Sequence, residues 1–258
     1  DWQRDLSISY DKIGDVQVAQ GNLSAALKSY QSSFEIRQKL ASSDPGNAGW
    51  QRNLSISNER IGDVQVAQGK LSAALTRYQS SLEIRQKLAS SDPGNSGWQR
   101  DLSASNERVG NVQVAQGNLS AALKSYQSSF EIRQKLASSD PGNAGWQRDL
   151  SVSNERIGDV QVAQGNLSAA LKSYQSSFEI RQKLASSDPG NPGWQRDIFV
   201  SLFKLARISV ISNQKDRALV HYKEALSINE KLIKRDATNA TWANDRRLLQ
   251  AAIQELKK

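Results

Sequence analysis

The 258-residue chain contains no cysteine, no methionine, one histidine and only five prolines. Without cysteine there is no disulfide framework, no thiolate nucleophile and no thiolate metal site, and that lack is in keeping with the cytoplasmic location expected of it. The lone His221 has no second histidine and no carboxylate cluster at ligand spacing, so no metal or cofactor is expected, and it reads as a surface residue. No apolar run approaches the roughly 18 residues that a membrane span requires. The recurring Asp-Pro-Gly-Asn lacks the spaced glycines and following Lys-Ser/Thr of a phosphate cradle, and reads as a turn. Carboxylates are plentiful, but nothing marks an enclosed pocket that would perturb them into an acid and base pair, so no catalytic residue is assigned and the chain is not expected to be an enzyme.

What the chain does have is a period. Trp2, Trp50, Trp98, Trp146, Trp194 and Trp242 stand 48 residues apart. Self-similarity at such a spacing marks an array in which each unit buries its apolar face only against its neighbours. The unbroken register predicts one domain, residues 1–258, with repeats 2–49, 50–97, 98–145, 146–193 and 194–241 and a capping helix 242–258. Copies two and four differ at seven positions, 53/149, 56/152, 70/166, 76/172, 77/173, 82/178 and 96/192. Near-identity on that scale suits recent duplication or a consensus-designed spacer as well as a groove tuned to one ligand.

Copy two is representative. From Trp50 to Gln68, the apolar residues Trp50, Leu54, Ile61, Val64 and Ala67 recur mostly at three- and four-residue spacings, which predicts an amphipathic helix ending at Gly69. A second stripe, Leu71, Ala74, Leu75, Tyr78, Leu82, Ile84 and Leu88, predicts a second helix stopped by Asp92-Pro93-Gly94-Asn95. Asn22, Asn118 and Asn166 follow the turn glycine as N-caps in copies one, three and four, and Lys70 is expected to cap poorly. Copy five has drifted: Ile198, Phe199, Leu202, Phe203 and Leu205 make its first helix strongly apolar, a stripe expected to pack on the terminal cap.

With Ile61-Gly62 in the first helix, Gly69 at the turn and Ala74-Leu75 with Tyr78 in the second, repeated as Ile13-Gly14, Gly21, Ala26-Leu27 and Tyr30, the chain resembles a lengthened bacterial tetratricopeptide repeat (TPR) array over essentially its whole length. The resemblance implies an all-α, right-handed solenoid of antiparallel helix pairs. It further implies a protein–protein interaction scaffold whose concave face, lined by first helices, takes a peptide or partner domain as part of a longer multidomain protein. Positions carried over to that face are Asp11 and Asp15, Glu59 and Asp63, Glu107 and Asn111, and Glu155 and Asp159, each pair on one side of a helix by its i,i+4 spacing. Stacked, they form an acidic ladder suited to a basic segment, opposed by Arg60, Arg108 and Arg156 beside it. The Lys and Asn of the chaperone-tail clamp are missing. The tryptophans are expected to pack at the starts of first helices rather than stack on a ligand.

The charge of +8 is uneven, since residues 194–258 carry 13 Lys/Arg against 7 Asp/Glu. A basic end patch of Arg246, Arg247, Lys257 and Lys258 is the alternative site for an acidic partner or nucleic acid. The lack of interleaved aromatics argues against single-stranded nucleic acid. Near-identical copies and the uncapped first repeat, Trp2 to Gln20, suggest concentration-dependent self-association.

Overall fold

The computed structural model describes residues 2–258. Among these residues there are eleven α-helices and no strand. The first helices of the repeats are α1 (Trp2–Ala19), α3 (Ala48–Ala67), α5 (Ser96–Ala115), α7 (Ala144–Ala163) and α9 (Pro192–Ile211). They alternate with second helices α2 (Leu23–Ser43), α4 (Leu71–Ser91), α6 (Leu119–Ser139), α8 (Leu167–Ser187) and α10 (Lys215–Arg235), and α11 (Ala240–Leu256) ends the series. The chain forms two compact units that divide within α6, after Ile132. In the first, α2 packs on α1 and α3, and α4 on α3 and α5; in the second, α8 packs on α7 and α9, and α10 on α9 and α11.

The first helices α3, α5, α7 and α9 begin two residues earlier than the tryptophan spacing predicts. The asparagine of Asp-Pro-Gly-Asn is their N-cap: Asn47 and Asn95 accept from the backbone N–H groups of Trp50 and Trp98 at 3.1 Å. Asn239 does the same for Trp242 at 3.2 Å. The tetrapeptide is therefore both turn and cap, and each interior tryptophan sits at the third helical position, half-buried rather than buried; Trp2 is 71% exposed. The expected caps of second helices are weaker than the sequence suggests. Asn22 accepts from the Ala25 N–H at 3.4 Å, but Asn166 makes no side-chain cap bond, and in this it matches Lys70. An asparagine at that position is exposed to water, which competes for its oxygen.

Two backbone devices hold each pair together. Gly69 turns the chain with φ +74°, in the left-handed region, and Asn213 takes over that role in copy five at φ 57°. Gly62 lets α4 approach α3 so closely that an added Cβ would lie 2.6 Å from Cε1 of Tyr78. One part of the contact between repeats is apolar: Ile61 and Val64 of α3 bury themselves on Ala26, Tyr30 and Phe34 of α2, and Val109 and Val112 of α5 do so on Ala74 and Tyr78 of α4. Each such aliphatic side chain contributes on the order of 2 kcal/mol.

Copy five swaps a charged seam for a largely apolar one. Phe199, Phe203, Ala225, Asn229 and Leu249 occupy the positions held by Ser, Glu, Ser, Arg and Ser in copies two to four. Phe199, Ala225 and Leu249 join Leu202, Ala206, Tyr222 and Ile253 in one core, with Phe203 stacked on Phe199 at 6.3 Å. The drifted stripe thus packs on the last helix, where Leu249 and Ile253 face inward and Arg246, Arg247, Gln250 and Gln254 face solvent.

Candidate functional site

The acidic positions fall into two groups. Asp11 and Glu59 are buried, at 7% and 9% side-chain exposure, whereas Asp15 and Asp63 keep 40% and 48%. The buried pair belongs to a polar seam between repeats. Arg85 of α4 grips Glu59 of α3 with both terminal nitrogens (2.7 and 2.9 Å), donates from Nε to Ser55 Oγ (3.2 Å), and reaches α5 at the Asp101 carbonyl (2.9 Å) and Ser105 Oγ (3.1 Å). Arg37 does the same for Asp11 (2.7 Å), Ser7 (3.2 Å), Ser57 (3.0 Å) and the Asn53 carbonyl (3.4 Å). In the second unit Arg181 joins Glu155 (2.6 Å) and Ser151 to Ser201 of α9. Glu107 too has an interaction partner.

The outer acids are engaged as well. Asp15 accepts from the Tyr30 hydroxyl (2.8 Å) and pairs with Arg60, which also lies 3.6 Å from Asp11. Asp63 repeats this with Tyr78 (2.6 Å) and Arg108, and Asp159 with Tyr174 (2.7 Å) and Lys204. Asn111 accepts from Tyr126 at 2.7 Å. The i,i+4 acids do share a face, as their spacing requires, but the inner acid is neutralised by an arginine of its own repeat and the outer one by a cation of the next repeat, 45 residues on. Burial pushes the Tyr30 hydroxyl up to about 12, reinforced by its bond to Asp15, and Tyr78 and Tyr174 are raised for the same reasons. Burial acts to raise Asp15, but the Tyr30 bond and Arg60 outweigh it and hold that carboxyl below its ordinary value. The ladder is thus a row of ion pairs with acidic rims, not a row of free carboxylates.

Those ion pairs wall a pocket that recurs in register. In the first unit a cavity of about 390 Å³ is bounded by Asp15, Val18, Leu23, Tyr30, Arg60 and Val64, with Asp63 and Arg108 at its edge. One repeat further, Asp63, Val66, Leu71, Tyr78, Arg108 and Val112 bound a second cavity of about 190 Å³. In the second unit Asp159, Val162, Tyr174, Lys204 and Ile208 bound a third, of about 120 Å³, with Arg207 in place of the aspartate at its far wall. Val18, Val66 and Val114 are exposed along the first unit. These valines recur every 48 residues, a signal open to sequence reading but overshadowed there by the charges.

Arg246 and Arg247 on α11 and Lys257 and Lys258 just past its end are all exposed, with Arg247 donating to Asn244 (2.8 Å). His221 differs from its expected surface position: it is half-buried, beside Asp216 and Arg217, and burial lowers its pKa. No cluster of three metal-ligating side chains occurs among the described residues, and none of their helices is long and apolar enough to cross a membrane.

No protein-family model and no curated protein sequence matches the chain. Solved structures do. A Podosopora anserina kinesin-light-chain-type protein with nearly identical TPR-like repeats aligns at TM-score 0.67 and 15% identity, over 91% of this chain and 99% of that one. RapI in its apo form aligns at 0.66 and 13%, over 87% and 70%. BtubC from P. vanneervenii aligns at 0.62 and 15%, over 91% and 89%.

Proposed function

From the premise that this chain carries the TPR-like helix-pair fold, we propose that it is a non-catalytic scaffold that binds a peptide or partner domain along its first-helix face, as one part of a longer multidomain protein. The observation that supports this is the recurrence of one pocket in register, an aliphatic floor beside a wall of aspartate, tyrosine and a cation, arginine in the first unit and Lys204 in the second. A repeated pocket suits an extended ligand that places successive side chains one repeat apart. The aliphatic positions Val18, Val66 and Val114 supply the contact area, and the rims Asp15, Asp63 and Asp159 favour basic or hydrogen-bond-donating neighbours on the ligand. Asp11, Glu59 and Glu155 act beneath the surface, holding the cations in place.

The test is selection of peptides from a displayed random library, followed by titration of the parent chain and of a V18S/V66S/V114S variant whose helicity is verified. The expected result is at least a roughly tenfold loss of affinity in the variant, from the removal of three apolar contacts. Binding that survives there but disappears in R246E/R247E/K257E/K258E would move the site to the basic end. A library that yields no binder would favour a spacer.

A further inference from the structure

The three pockets share one plan, and a single position in it changes sign along the chain. The residue at the far wall, one repeat beyond the leading aspartate, is Asp63 in the first pocket, Asn111 in the second and Arg207 in the third. The lining charges change with it: three carboxylates against two arginines, then one against one, then Asp159 alone against Lys204 and Arg207. The two cations of the third pocket are not equivalent. Lys204 is engaged by Asp159 and by Glu155, the latter at 3.3 Å. Arg207 is exposed, and among the described residues no carboxylate is bonded to it. In the first unit the same position is closed to an anion, because Asp63 accepts from Tyr78 and pairs with Arg108. Copy five keeps that tyrosine as Tyr222 but has Ala252 in place of the arginine. Loss of the aspartate follows from loss of its cation. The arrival of a positive charge does not, since an exposed arginine without a partner adds nothing to the fold.

Resting on the scaffold reading above, we propose that Arg207 sets the charge preference of the copy-five pocket, which takes an acidic side chain of the bound polypeptide where the first-unit pockets favour a basic one. The guanidinium is free to fork onto a carboxylate. Val162 and Ile211 of the same lining meet the methylene stem of that acid. Lys204, already paired, contributes field rather than a bond. The cavity, at about 120 Å³ the smallest of the three, matches a single side chain, and one open cation matches one negative charge. Aspartate at the same position in copies one, two and four repels such a group, so one register position both attracts the right charge and rejects the wrong one.

The experiment selects peptides on the 258-residue chain from a random library whose C-termini are fused to the display protein, so that a carboxylate comes only from a side chain. Selected peptides, made with blocked termini, are titrated by fluorescence anisotropy against the parent chain and Arg207→Asp. Expected are an acidic residue at one fixed place in the peptides, at least a roughly tenfold loss of affinity when it becomes its amide, and no such loss on Arg207→Asp. Arg207→Gln serves in its place should Arg207→Asp disturb folding. Peptides that bind parent and Arg207→Asp equally, yet are weakened by V18S/V66S/V114S, overturn the inference and leave the scaffold reading standing. No binder, or indifference to both sets of substitutions, overturns both. An equal loss with Lys257→Asp, outside the pocket lining, also overturns the inference, because attraction to the net charge of +8 would then suffice.

Discussion

Arg85 is the best place to test whether the polar seam or the apolar contact holds adjacent repeats together. Replacing it with alanine deletes both contacts to Glu59 and those to Ser55, Ser105 and the Asp101 carbonyl, and leaves Glu59 buried, facing the Ser81 and Ser105 hydroxyls (3.4 and 3.1 Å) and the Arg108 Nε at 3.6 Å. Stranding a buried charge costs about 3–5 kcal/mol, and those residual partners point to the lower end, about 3 kcal/mol. Converting both partners, Arg85→Met with Glu59→Met, removes the stranded charge and should return stability to within about 1 kcal/mol of the parent. Copy five already dispenses with the ion pair, with Phe203 and Asn229 at these positions. Guanidinium denaturation followed by circular dichroism is the assay. In a repeat array a weakened interface also lowers cooperativity, so Arg85→Ala should show a second transition that the double variant lacks. The reasoning fails if Arg85→Ala costs no more than Arg52→Ala, which breaks an outer pair with Asp101 worth at most about 1 kcal/mol.

Three further outcomes are expected. Gly62→Ala drives a methyl into the Tyr78 ring and should cost about 1–3 kcal/mol in thermal or chemical unfolding. Asn95→Ala removes the acceptor for the Trp98 N–H and should cost about 1 kcal/mol, whereas Asn166→Ala, at a position without a cap bond, should change little. Because Tyr30 is held up to about 12, the folded chain keeps a proton that the unfolded chain releases near 10, so this stabilisation is complete below about pH 10 and declines as pH rises toward 12. Unfolding midpoints on either side of about pH 10, with tyrosinate absorbance to follow ionisation, check the sign; tyrosines that all ionise near 10 in the folded chain would refute it.

Much of the architecture is legible in one repeat. Ile61-Gly62, Gly69 and Ala74 with Tyr78 announce a close helix pair, and Leu54, Ile61 and Val64 mark the face that meets the preceding helix. What a single helix hides is anything completed by its neighbours. Glu59 and Asp63 look like an exposed acidic pair because their cations, Arg85 and Arg108, come from the following helices, and a helix-face argument sees only residues three or four apart. Ser55, Ser57 and Ser105 look solvated for the same reason, yet they are buried as acceptors for arginines of another helix. The asparagine caps of the first helices were missed differently: Asp-Pro-Gly-Asn satisfies the chemistry of a turn so fully that its last residue conceals a second role.

The cross-repeat spacings have a genetic consequence. The ties that bridge one repeat to the next recur at fixed separations, 16 and 20 positions for the buried arginines and 45 or 49 for the outer ion pairs. A whole 48-residue unit can be inserted or removed without leaving any such side chain facing the wrong partner. Loss of half a unit would strand buried arginines and glutamates. Length in this lineage is therefore free to change by recombination among near-identical coding segments, in integer steps, with the fold itself discarding the products that fall between them.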